Sequence, residues 1–348
     1  MPPSVSVFGA AGFTGALTAR LLQRHPTFEL KCLTARSDQG RRLDDLYPHH
    51  RVAIELEELD LDRHADVDAA VVAYPHGAAA PLVAELRARG VRVVDLSADF
   101  RLRDPDEYGR WYREHQAPEL LADAVYGLPE LYREDVRGAS LVANPGCYPT
   151  ASLLALAPLA RAGVIDDVVI DAKSGVSGAG RAATDKTHFV TVDENLNAYG
   201  VPRHRHIPEI EQELVVLGAD RRITFIPHLV PLDQGELVSC YVTLVDPGSE
   251  LDLGRLYADA YADEAFVELA SGPPGVRDVR ETNICRISAH RDERTGRVIV
   301  FAALDNLWKG AASQAVQNLN LMFGLAEAEG IGVTAWGGRQ SKFNEAMR

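Results

Sequence analysis

Cysteine is scarce in this 348-residue chain: the four present, Cys32, Cys147, Cys240 and Cys285, have neither paired nor metal-ligand spacing. That excludes a disulfide framework and a structural zinc site, leaves no metal expected, and fits a reducing cytoplasm. Long apolar runs are also missing. None approaches the ~18 residues of a membrane helix, and Met1-Pro2-Pro3-Ser4 offers no basic stretch leading into an apolar one, so neither secretion nor membrane insertion is expected. Basic residues are outnumbered, 36 against 50 acidic, for a formal charge of −14. Such a chain repels nucleic acid and anionic membranes, and any anionic ligand must be held by local cations. Repeats, low-complexity stretches and a clean interdomain linker are absent as well. What remains is a chain with 46% hydrophobic residues, longer than one core usually fills, so two domains are expected.

The first half alternates short apolar strands (5–8, 28–33, 69–73, 91–96 and 140–143) with amphipathic helices, which predicts a parallel sheet covered on both faces. Past residue 160 the strand candidates 168–172, 223–226, 237–245, 284–288 and 298–303 have fewer helices between them. A mostly antiparallel second sheet follows. The amphipathic stretch 311–325 reads as a helix that returns to the first domain.

Asn144-Pro145-Gly146-Cys147-Tyr148-Pro149-Thr150 places a thiol at a tight turn directly before a long apolar helix. Backbone N–H groups and the dipole at a helix start favour a thiolate, so Cys147 is expected to have a lowered pKa and to act as a nucleophile. Pro149 suits the first helical turn, whose N–H has no intrahelical partner. Gly9-Ala10-Ala11-Gly12-Phe13-Thr14-Gly15 stands between a strand and a helix, the setting in which Gly9, Gly12 and Gly15 let the backbone approach a pyrophosphate. After the second strand no acidic residue immediately awaits a ribose 2′-hydroxyl; Arg36 and Ser37, with Arg41 and Arg42 nearby, suit a 2′-phosphate. NADP is therefore preferred over NAD, although Asp38 is close. His204-Arg205-His206 precedes a helix marked by Pro208. Both histidines share one face of an extended segment, available as acid or base near neutral pH. His228, in an apolar strand, reads as a satisfied core histidine. Residues 173–181 form a glycine-rich loop that either closes over a nicotinamide or is simply mobile.

These residues, together with Leu96-Ser97-Ala98-Asp99-Phe100-Arg101-Leu102, Tyr126-Gly127-Leu128-Pro129-Glu130, Pro227-His228-Leu229-Val230-Pro231 and Asp305-Asn306-Leu307, run in the order found in the N-acetyl-gamma-glutamyl-phosphate reductase family, relatives of aspartate-semialdehyde dehydrogenase. The chain closely resembles that family over nearly its whole length. The resemblance implies a Rossmann-type NADP domain completed by the C-terminal helix, spanning 1–147 and 311–348. It also implies an α/β substrate and oligomerisation domain over 148–310, with a homodimer or homotetramer as the assembly. It makes Cys147 the nucleophile, His206 the acid/base, Gly9 to Gly15 with Phe13 and Thr14 the NADP loop, and Ser174, Gly175 and Asn306 contacts near the nicotinamide. Trp308 before Lys309 departs from the smaller residue expected there.

The implied chemistry is attack of the thiolate on an acyl phosphate, departure of phosphate, reduction of the thioester, and protonation of the resulting oxygen by His206. Arg101, Arg205 and His204 are candidates for the substrate's anionic groups, a guanidinium offering paired donors to phosphate and carboxylate. Three alternatives stay open. One is reduction of an aminoadipyl phosphate on an acidic carrier protein, which the negative charge disfavours. Another is reduction of aspartyl phosphate; the third is an NADP-binding sensor without turnover.

Overall fold

The computed structural model describes residues 1–248 and 250–332. Two seven-stranded sheets organise them. The first contains β1 (Ser4–Phe8), β2 (Glu29–Thr34), β3 (Leu56–Glu57), β4 (Ala69–Val72), β5 (Arg92–Asp95), β6 (Ala124–Tyr126) and β7 (Leu141–Ala143). Its order is β3-β2-β1-β4-β5-β7-β6 and every pairing is parallel. β4 is buried along its whole length, as a strand covered on both faces must be.

The second sheet contains β8 (Ile165–Gly175), β9 (Asn197–Ala198), β10 (Ile223–Val230), β11 (Glu236–Leu244), β12 (Val267–Leu269), β13 (Cys285–Asp292) and β14 (Arg297–Leu304). Its order, β12-β13-β14-β11-β8-β10-β9, is mixed: β8 with β10 and β12 with β13 are parallel, and the other pairs antiparallel. Strands β3, β6, β9 and β12 have no counterpart in the sequence reading, because runs of two or three residues carry no periodicity.

The Cys147–Arg161 helix joins the two sheets. Residues 148–160 are all buried, so it is apolar on every side, as a helix enclosed by protein must be. Its leucines enter one core with Val238, Cys240 and Val242 of β11 and Ile210 and Leu214 of the Ile207–Val216 helix. The Ser313–Met322 helix packs into the core of the first sheet through Ala315, Val316 and Leu319. The sequence reads it as amphipathic, but all ten residues are buried. Its polar residues serve internal contacts: Gln314 and Asn318 each donate to Gly127 O at 2.9 Å, and Gln317 donates to Glu130 at 3.0 Å. The remainder of the expected 311–348 segment, past residue 332, lies outside the described residues.

Candidate active site

The two strand–turn–helix corners of the first sheet carry most of the chemistry. At the β1 corner Gly9 has φ +92°, and a Cβ there would lie 2.5 Å from Ala73 O. Gly15 has no room either, with Gly9 O at 2.4 Å from such an atom. Gly12, at the helix N-cap, would meet only Gly9 O at 3.8 Å, so its outer side is open. Phe13 packs edge-on against Tyr47, whose hydroxyl donates to Ala11 O at 2.8 Å and fixes the loop from beneath.

Arg36 and Ser37 are exposed beyond β2, and Arg36 has no ion pair among the described residues. Arg41 and Arg42 are instead engaged by Asp38 and Asp44. Arg181, at the end of the 173–181 loop, reaches Asp38 at 2.6 Å and Ala11 O at 3.4 Å. It thus ties that loop to the glycine corner, a contact with no signal along the chain.

At the β7 corner Gly146 caps the helix that Cys147 begins. A Cβ on Gly146 would lie 2.5 Å from His206 Nε2 and 3.0 Å from an Arg101 nitrogen, so only glycine lets the imidazole press against this turn. Glu209, buried one turn into the Ile207–Val216 helix, accepts from Gly146 N at 2.9 Å and from Tyr126 OH at 2.8 Å. It also meets Arg101 Nη1 at 3.3 Å. The spacing from His206 to Glu209, three residues across a helix start, was the available clue to this acidic residue.

Arg101 itself is 5% exposed, donates to Asn144 O at 2.8 Å and Leu96 O at 2.9 Å, and is absent from the cavity wall. Three of its five N–H donors, one on each nitrogen, are thus engaged by the corner it braces.

A cavity of about 450 Å3 opens over the thiol. Cys147, His204, Arg205, His206 and Ser174 line it, as do His76, Tyr148, Tyr199, Lys186 and Arg203, which sequence reading did not single out. Arg205 lies over the Tyr112 ring at 5.4 Å and Arg203 over Trp111 at 5.3 Å. Isolated arginines before a helix gave no hint of these aromatic rests. His204 accepts from the His206 amide at 3.2 Å, their rings 4.9 Å apart, so the pair is one rigid unit.

Beside the cavity, Asn306 accepts from Gly235 N at 2.7 Å and donates to Ser177 at 3.0 Å. A Cβ on Gly178 would sit 2.9 Å from Ser174 Oγ and 3.7 Å from Asn306 Nδ2. Gly175 is pinned against Asp233 O, leaving no room for a side chain. Ser174, Gly175 and Asn306 are therefore gathered next to the thiol. His228 is not: its Nδ1 lies 3.2 Å from both Ala172 O and Asp171, outside the cavity wall.

The charge state of the thiol departs from expectation, and that of the histidines does not. Burial, and then the Glu236 carboxyl, push the Cys147 thiol well above its ordinary value, outweighing the opposing Tyr148 amide and Arg101. The amide at the helix start acts in the expected direction, but desolvation of a thiolate costs more than it returns, so the net shift is upward. Burial, then His204, Arg101 and His76, hold His206 well below the usual imidazole range. Burial, then Arg205, lowers His204 to about 4. Thiol and imidazole are both neutral at rest.

A family model described as "Semialdehyde dehydrogenase, NAD binding domain" matches residues 4–139, and one described as "Semialdehyde dehydrogenase, dimerisation domain" matches residues 147–306. An N-acetyl-gamma-glutamyl-phosphate reductase of Desulforudis audaxviator is 51% identical over 94% of this chain and 97% of its own length. That of Alkalilimnicola ehrlichii is 49% identical over 95% and 98%. Among solved structures, aspartate semialdehyde dehydrogenase II of Vibrio cholerae superposes with a TM-score of 0.71 at 20% identity, covering 93% of this chain and 99% of that one. At that identity the likeness concerns the fold.

Proposed function

The chain belongs to the N-acetyl-gamma-glutamyl-phosphate reductase family, and from that premise we propose that Cys147 and His206 carry the reaction. The protein reduces N-acetyl-glutamyl 5-phosphate with NADPH to N-acetyl-glutamate 5-semialdehyde and phosphate, a step of arginine biosynthesis. The observation that supports this assignment most directly is the contact of His206 Nε2 with the Gly146 turn, which leaves no room for a Cβ.

Cys147 gives its proton to His206, and the sulfur attacks the acyl carbon. The carbon–oxygen bond to phosphate breaks, phosphate leaves, and a thioester remains. The amides of Cys147 and Tyr148 at the helix start are placed to steady the oxyanion; that of Gly146 is occupied by Glu209. NADPH, when bound, supplies the hydride. His206 then protonates the oxygen of the thiohemiacetal, and release of the aldehyde returns the thiol.

The open face of Gly12 and the unpaired Arg36 fit a dinucleotide phosphate and a 2′-phosphate; Gly9, Phe13, Thr14, Gly15 and Ser37 complete that end, with Ser174, Gly175 and Asn306 at the other. Arg205 and His204, joined by Arg203 and Lys186, meet the substrate's phosphate and carboxylate. Arg101 acts indirectly, by holding Asn144 and Glu209.

Residues 1–147 with the described part of the 311–348 segment, 311–332, form the NADP unit, and residues 148–310 the unit through which subunits associate as a homodimer or homotetramer in the cytoplasm. Among the described residues no helix is long and apolar enough to cross a membrane. The test is phosphate-dependent reduction of NADP by the purified protein. Activity with N-acetylglutamate semialdehyde and little with aspartate semialdehyde is expected; the reverse preference, or turnover without phosphate, overturns the reading.

A further inference from the structure

Glu236 opens β11 at the centre of the second sheet, in register with Ser174 of β8 and Leu304 of β14. It is wholly buried, and neither carboxyl oxygen has a conventional hydrogen-bond partner among the described residues. A carboxylate so enclosed is costly, and a cation or several donors would normally accompany it. The groups that act on it are instead the Cys147 thiol and Tyr148 from the helix, Tyr199 beside β9, Asp305 after β14 and Cys285 of β13, none of them cationic. Of these the Cys147 thiol is the one that acts on the carboxyl as a hydrogen-bonding neighbour, and Glu236 itself is not part of the cavity wall. His206 presses on the same turn at Gly146, one residue before Cys147.

We propose that Glu236 is a catalytic residue of this chain: as a neutral carboxylic acid it donates its O–H to the Cys147 sulfur and steadies the thiolate formed when His206 takes the thiol proton. The inference rests on Cys147 being the nucleophile. In the step the S–H bond breaks, its electron pair stays on sulfur, the proton moves to His206, and the Glu236 O–H bond persists. A neutral carboxylic acid is a strong donor to an anion, and an apolar enclosure is what keeps it protonated.

Burial pushes the Glu236 carboxyl up to about 8, the facing thiol opposing and Asp305 adding to the rise. Above that pH the donor becomes an anion beside the sulfur, and nucleophilicity falls. The stability consequence has the same sign. A carboxyl raised from 4.5 in the unfolded chain to about 8 in the folded one contributes fully below 4.5, and its contribution is lost as pH rises through about 8.

The experiment measures iodoacetamide alkylation of Cys147, read by peptide mass spectrometry, and kcat/KM, both against pH, in full-length wild type, Glu236→Gln and Glu236→Leu. The carboxamide keeps a donor that does not ionise; leucine has none. In the wild type kcat/KM should fall on the alkaline side near pH 8; Glu236→Gln should stay within about tenfold of its peak value and lose that fall, one donor to an anion being replaced by a weaker one. Glu236→Leu should keep its NADPH affinity while Cys147 alkylates roughly tenfold or more slowly at pH 7. The same alkaline fall in Glu236→Gln, or wild-type alkylation in Glu236→Leu, overturns the proposal. If Glu236→Leu does not fold, the Glu236→Gln profile decides. Because alkylation needs no substrate, it reports on Glu236 even if Cys147→Ser were to retain turnover, the result that would instead overturn the reading of Cys147.

Discussion

The corners after β1 and β7 start from nearly the same backbone and end in opposite environments. Gly12 caps the first helix at φ −78°, ψ 161°, and Gly146 caps the second at φ −69°, ψ 157°. At the first corner the outer side of the cap is open, so its amides are available to a ligand that brings its own charge. At the second, His206, Arg101 and Glu209 close upon the cap, and the Gly146 amide is consumed within the protein. A helix start is therefore not a fixed electrostatic device. Open to solvent, its amides are free to meet a ligand; enclosed by neutral imidazole and apolar helix, its pull on the thiol is outweighed by burial.

The severest test of this contrast is Cys147→Ser. The β7 corner should lose turnover by about 10⁴-fold or more, since a hydroxyl is a far weaker nucleophile, while fluorescence titration finds NADPH affinity unchanged at the β1 corner. Loss of NADPH binding in that variant would mean the corners are not independent. His206→Asn comes next. A lowering of kcat by about 10²–10⁴-fold with KM moved less is expected, the melting temperature serving as the control. A normal His206→Asn beside an inactive His204→Asn would reverse the roles of the two histidines.

Paired alanines sharpen the comparison further. Gly146→Ala should reduce kcat by about 10²-fold, because its Cβ displaces His206, and misplacement of a catalytic group by roughly 1 Å costs that much. Gly12→Ala has space for its Cβ, so its melting temperature should stay near wild type and kcat at saturating NADPH should hold, with only NADPH affinity lowered. Equal kinetic effects from the two alanines would remove the distinction between open and closed corners. Arg36→Glu should have the smallest effect: NADPH weakened roughly tenfold relative to NADH, as for one charge-assisted contact. If both cofactors weaken equally, the 2′-phosphate is read by another cation, and Arg181, already tied to Asp38 and Ala11, is the alternative.

Much of this was legible along the chain where the determinants are local. A glycine that needs positive φ or a close approach, a proline in a first turn, and a switch in strand periodicity each act within a few residues. Accordingly, the parallel sheet, the change to a mixed sheet and both helix starts could be read directly. Cys147 and His206 could be singled out individually, yet nothing in their spacing showed which atoms meet. Arg101 illustrates the limit: guanidinium chemistry suggested a substrate contact, and only the fold shows a donor from each of its three nitrogens engaged by Leu96, Asn144 and Glu209.

By itself the sequence determined the longer strands and helices, the class of each sheet and the kinds of reacting group, because those depend on backbone conformation and side-chain chemistry over short spans. Tertiary structure alone decided the protonation of those groups and their partners. Glu236 and Glu209 reach the Cys147 corner from separate elements far apart in the chain, and the desolvation that acts on Cys147 and Glu236 arises only when the helix and both sheets have packed around them.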